Sequence, residues 1–202
     1  MNDSLRFDAA TASPAAKSAE AAETVLLPYD KPIFLVGMMG AGKTTIGRHL
    51  ARSLGRKFVD LDLALQDRCG VQVATIFEIE GEEGFRRRET ALLDEYSRTP
   101  GIVLATGGGA VLAAENRGYL KDRGVVVYLR ASGDELYKRV ARDRHRPLLQ
   151  TGNPRERLLE LLRQREPLYD EVAALTFDTG SLPVPQVVRT LISLLQNYEK
   201  HS

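Results

Sequence analysis

The sequence predicts an α/β protein: an open, doubly wound parallel sheet with ligands at the carboxyl ends of its strands. Three observations lead there. Five short apolar runs, Ile33–Val36, Lys57–Leu61, Ile102–Thr106, Val125–Leu129 and Ala174–Phe177, alternate with helical patterns. The third and fourth runs carry Ile-Val-Leu and Val-Val-Val, the composition of strands buried on both faces, as in a parallel sheet. Between the first run and a helical pattern lies Gly37-Met-Met-Gly-Ala-Gly-Lys-Thr44, which fits G-x-x-x-x-G-K-[ST].

The elements follow in order. Pro32–Val36 reads as a short buried strand, and Thr45–Leu54 as a helix with Ile46, Leu50 and Leu54 on one face. The loop between them is a phosphate cradle. Glycines let backbone N–H groups close around phosphate oxygens, and the helix N-terminus adds positive potential. Gly40, Ala41, Gly42, Lys43, Thr44 and Thr45 are therefore the expected nucleotide-binding residues. In this motif the lysine reaches the β- and γ-phosphates and the hydroxyl after it ligates Mg²⁺, roles that fall to Lys43 and Thr44.

The second run ends Asp60-Leu61-Asp62. Read as strand, it points both carboxylates to one face. Beside a phosphate loop one could hold Mg²⁺, directly or through water, and one could accept the proton of a substrate hydroxyl. The plain alternative is a solvated strand end. Glu82–Arg98 then reads as a helix with Phe85, Leu92, Leu93 and Tyr96 in one stripe. Arg86 and Glu89, three apart, can meet, so that Glu89 orients a planar fork suited to a carboxylate or phosphate. Arg87 and Arg88 point elsewhere and read as solvated.

After the third strand, Gly107-Gly108-Gly109 allow close approach of backbone to a ligand; a flexible turn is the alternative. Ser132-Gly-Asp-Glu135 is a capping box opening a helix to Ala141. Arg139–Gln150 is basic and loop-like, with the make-up of a lid; an arginine in it could close on a γ-phosphate. Asn153-Pro154-Arg155-Glu156 starts another helix, leucine-rich, with Arg165 near its end. That arginine alone reads as a surface residue. A last helix covers about Gln186–Tyr198.

Composition excludes several classes. A net charge of +1 gives no global argument for nucleic acid or an anionic membrane, and the basic segment has no interleaved aromatics. No stretch is long and apolar enough to span a bilayer. The single cysteine, Cys69, excludes an internal disulfide and suits a reducing cytosol, so a cytoplasmic protein is expected. His49, His145 and His201 lack metal-ligand spacing. Residues 1–29 are Ala-rich, acidic and without apolar periodicity, and are expected to be a disordered extension; residues 30–202 form a single domain.

Taken together, these residues resemble the shikimate kinase family, within the nucleoside monophosphate kinase-like group of phosphate-loop proteins. The likeness runs from about Pro32 to Tyr198 and rests on the phosphate loop, Asp60-x-Asp62, Gly-Glu-Glu-Gly-Phe-Arg86-x-x-Glu89, Gly107-Gly-Gly109, Arg146-Pro-Leu-Leu and Arg165-x-Pro-Leu-Tyr169. It implies a three-layer α/β/α fold with a five-stranded parallel sheet of order 2-3-1-4-5 and a lid at about 143–153. It further implies phosphorylation of the 3-hydroxyl of shikimate by ATP with Mg²⁺, a step of aromatic amino-acid biosynthesis. By the same resemblance Asp62 is the base and binds the ring hydroxyls, Arg86 and Arg165 grip the carboxylate, and Gly107–Gly109 line that pocket. Lys43 and Arg146 would stabilise the transferring phosphoryl group, Thr44 and, through water, Asp60 would hold Mg²⁺, and Arg139 would stack on adenine opposite Asp178–Pro185. A monomer that binds no nucleic acid or membrane is expected. The alternatives are a kinase for another polyol acid such as gluconate, or a nucleotide-binding switch without turnover.

Overall fold

A computed structural model describes residues 24–141 and 153–198. The sheet has five parallel strands in the order β2-β3-β1-β4-β5: β1 Ile33–Val36, β2 Lys57–Asp60, β3 Ile102–Ala105, β4 Val125–Arg130 and β5 Leu175–Asp178. This is the expected order. Central β1 is flanked by β3 and β4, with Phe34 opposite both Leu104 and Val126. All four β1 residues are fully buried, which the apolar run requires of a strand covered on both faces. The edge strands β2 and β5 alternate between covered and exposed positions.

Among the described residues seven α-helices accompany the strands: α1 Lys43–Ser53, α2 Leu61–Cys69, α3 Val73–Ser97, α4 Ala114–Arg123, α5 Gly133–Val140, α6 Pro154–Val172 and α7 Val184–Tyr198. Helix α1 packs on α7; α3 packs on α4, and α4 on α6. The α5 capping box is present, with Ser132 and Glu135 bonding reciprocally. Asn153 caps α6 and Pro154 opens it.

Three expectations change. The second strand stops at Asp60, so Asp62 is not a strand residue; Asp60 caps α2 and Asp62 lies in that helix's first turn. The helix expected from Glu82 begins at Val73 and is kinked at Gly81, where φ is 69° and ψ −178°. Arg88 bridges that kink by two bonds to Glu80, at 2.6 and 2.8 Å, while Arg87 pairs with Glu83 at the surface. Finally, residues 24–29, assigned to the extension, lie against the domain. Val25 N–H donates to Ser53 O at 2.9 Å, and Val25, Leu27 and Tyr29 pack on the core. Residues 1–23 and most of the expected lid, 142–152, lie outside the described residues, and Arg146 with them.

Candidate active site

The site forms where β1, β2 and β3 end. Leaving β1, the Gly37–Gly42 loop folds back on itself: Ala41 N–H donates to Met38 O at 3.1 Å, and the Lys43 ammonium donates to Gly37 O at 2.7 Å and Met38 O at 3.0 Å. Gly42, at φ 92°, is the N-cap of α1, a left-handed conformation that favours glycine. The loop is thus set before any phosphate arrives, with the positive end of α1 at its mouth.

Asp60 joins the two sides of the site. Its Oδ2 accepts from the Thr44 hydroxyl at 2.6 Å, and its Oδ1 accepts from the backbone N–H of Asp62 at 3.1 Å and of Leu63 at 3.3 Å. The same carboxylate therefore ties the start of α1 to the start of α2. A cavity of about 430 Å³ opens over this junction, lined by Lys43, Thr44, Asp60, Asp62, Thr106 and Gly108 among others. The oxygen donors of Thr44 and Asp60, already in contact, suit a hard divalent cation. Among the described residues no cluster of three or more His, Cys, Asp or Glu side chains offers a separate metal site.

Beyond Asp62 lies a cationic corner. Arg86 donates to Glu89 Oε2 at 2.6 Å and to Glu82 Oε1 at 3.2 Å, so the predicted three-residue pairing exists. Burial works against the Arg86 charge, but Glu89 and Glu82 outweigh it and raise its pKa. Arg165, expected from its position alone to be a surface residue, is buried on α6, only 3% exposed. Burial lowers its pKa, Tyr169 acts the other way, and Arg86 adds to the lowering. Two guanidinium groups held near each other out of water favour an anion.

The glycine turn is pressed against these side chains. A Cβ on Gly109 would lie 2.6 Å from Arg86 Cζ, one on Gly107 would lie 3.0 Å from Asp62 Oδ1 and collide with Glu89 Oε1, and one on Gly108 would lie 3.6 Å from Arg165 Nη1. Asp62, Arg86, Glu89 and Arg165 thus surround one turn. Glu89 does more than orient Arg86. It is 1% exposed, its Oε1 has no hydrogen-bond donor among the described residues, and it faces Asp62 across Gly107. Burial pushes its carboxyl up in pKa, Arg86 and Arg165 pull it back, and Asp62 adds to the rise. The spacing from Arg86 was the only signal of it in the sequence.

On the opposite side of the phosphate loop, Arg139 in the last turn of α5 donates to Gly40 O at 3.1 Å, to Thr179 Oγ1 at 3.3 Å and to Gly180 O. A second cavity, about 340 Å³, runs between this arginine, Thr45, Ile46 and the 179–184 loop, with Leu182, Val184 and Val187 as its apolar wall. A polar rim on a partly apolar slot next to a phosphate loop suits a planar base.

Comparison with known proteins agrees with this arrangement. The shikimate kinase family model matches residues 39–196. The shikimate kinase of Bordetella pertussis is 59% identical over 210 residues, covering 99% of this chain and 100% of that one. Among solved structures, shikimate kinase from Acinetobacter baumannii in complex with shikimate superposes with a TM-score of 0.80 at 48% identity, covering 82% of this chain and 92% of that one. A gluconokinase from Sinorhizobium meliloti shares the fold, with a TM-score of 0.55 at 17% identity, covering 86% of this chain and 95% of that one.

Proposed function

The chain belongs to the shikimate kinase family, and from that premise we propose how its residues divide the transfer of the ATP γ-phosphoryl group to the 3-hydroxyl of shikimate. The observation that carries the division is the position of Asp62. It stands between a phosphate-binding half, Gly37–Thr45, and a carboxylate-binding corner, Arg86 and Arg165. A small acceptor with one carboxylate and several hydroxyls spans that gap.

ATP binds with its base in the slot beside Arg139 and its phosphates on the Gly40–Thr45 backbone. Lys43 exchanges its two loop carbonyls for phosphate oxygens and stabilises the charge of the transferring group. Thr44 and, through water, Asp60 would hold Mg²⁺, which when bound neutralises phosphate charge. Arg86 and Arg165 fix the carboxylate, and the Gly107–Gly109 backbone closes the pocket. Asp62 holds the ring hydroxyls and accepts the proton of the attacking one. Arg146, outside the described residues, would add to the stabilisation of the transferring charge.

The 17% identity to a gluconokinase carries the fold alone, while the 59% identity to a shikimate kinase over nearly the whole chain favours shikimate as acceptor. A coupled ADP-release assay with shikimate, gluconate and a nucleoside monophosphate side by side decides among them. Turnover is expected with shikimate only. Comparable turnover with gluconate would overturn the assignment of the acceptor, and nucleotide binding without turnover would make the chain a switch.

The glycine turn gives a sharper test. Gly109→Ala drives a methyl group into the Arg86 guanidinium. Overpacking of this kind costs about 1–3 kcal/mol, so the KM for shikimate should rise roughly 5- to 150-fold. The KM for ATP should stay within about twofold, because the clash lies on the acceptor side.

A further inference from the structure

Tyr169 is a fully buried titratable group that the mechanism above leaves unused. It lies one helical turn after Arg165 on α6. Its ring stacks on Tyr128 of β4, with centroids 5.1 Å apart and planes inclined by 30°. Its hydroxyl donates to the carbonyl of Gly108 at 2.5 Å and lies 3.9 Å from the sulfur of Met38 in the phosphate loop. The glycine turn, α6 and the phosphate loop therefore meet at one oxygen.

We propose that Tyr169 is a positioning residue for the acceptor, its hydroxyl fixing the Gly108 carbonyl and, through it, the spacing between the glycine turn and Arg165. Gly108 is partly buried, and a carbonyl shielded from water without a donor is costly, so the bond from Tyr169 helps hold the turn in place. Gly108 lies between the Arg165 guanidinium and the phosphate loop: a Cβ there would be 3.6 Å from Arg165 Nη1 and 3.5 Å from Met39 N. The Arg165 guanidinium is near enough to pull the pKa of this hydroxyl down against the much larger rise caused by burial. Of the two contacts of the hydroxyl, that with Met38 sulfur is the weak one, so its main effect passes through the Gly108 carbonyl. The stack on Tyr128 fixes the ring independently of the hydroxyl, so the hydroxyl is not needed to hold the side chain in place.

The proposal rests on Arg165 and the glycine turn being the acceptor pocket. Tyr169→Phe keeps the ring and removes only the hydroxyl. Tyr128→Phe is the packing control, and Arg165→Ala tests the pocket itself. In steady-state assays Tyr169→Phe should raise the KM for shikimate roughly 5- to 30-fold while the KM for ATP moves less than twofold. The stabilisation by shikimate in thermal melts should shrink in parallel, and Tyr128→Phe should leave both Michaelis constants near wild type. A Tyr169→Phe enzyme with both constants unchanged, or both raised alike, or with only a lower Tm, would refute a positioning role and leave a structural one. If Arg165→Ala also leaves the KM for shikimate unchanged, the fault lies in the pocket assignment rather than in Tyr169.

Discussion

Asp62→Asn lowers kcat by roughly 10²–10⁴, the usual cost of removing a general base, with shikimate and ATP still bound. The substitution targets proton transfer while sparing the backbone bond that places residue 62. Asp62 sits in the first turn of α2, and that turn is held by Asp60, whose Oδ1 accepts from the Asp62 backbone N–H. Asparagine at 62 keeps this bond, the helix start and a hydrogen-bond partner for the ring hydroxyls. It loses only the capacity to take a proton. Pre-steady-state measurement of the chemical step is the decisive check. Near-normal turnover would remove Asp62 from the role of base and leave it as a binding residue.

Arg165→Ala has the second large effect, a fall of roughly 10²–10³ in kcat/KM for shikimate. Truncating one partner of a buried charge pair costs about 2–5 kcal/mol, much of it from leaving the other charge unpaired. On the proposed assignment the unpaired charge is the substrate carboxylate, brought into a corner where Arg165 is buried. Arg165→Lys should recover only part of the loss, because a point charge does not reproduce a planar fork. Isothermal titration with shikimate and, separately, with ATP reads the result. A loss of ATP affinity without a loss of shikimate affinity would show that Arg165 serves the nucleotide.

Much of this was legible in the sequence, for identifiable reasons. The central strands were plain because burial on both faces leaves an unbroken apolar run, as in Val125–Val127. The phosphate loop was plain because its glycines answer to backbone geometry, and the Arg86–Glu89 pair because helical spacing predicts it. The Asp60–Asp62 segment misled because β2 is an edge strand whose alternation runs straight into a helix start, so the carboxylates looked like neighbours on a strand. The short helices α2 and α4 were missed because each buries only two residues and shows no stripe. The family resemblance singled out Arg165, but to composition and spacing Arg165 and Tyr169 were opaque for a tertiary reason. Only the packing of α6 against the glycine turn buries the first, and a tyrosine in a leucine-rich helix looks like ordinary core.

The double engagement of Asp60 constrains how this enzyme can change. One oxygen answers to Thr44 on the donor side, the other to the helix that presents Asp62 on the acceptor side. If Asp60 serves the metal and Asp62 is the base, as proposed, a substitution at 60 that alters the metal preference also shifts the base by disturbing the helix start. Donor and acceptor chemistry therefore cannot drift separately through this position, and directed evolution toward a new nucleotide or metal would be expected to spare Asp60 or to require a compensating change near Leu61–Leu63.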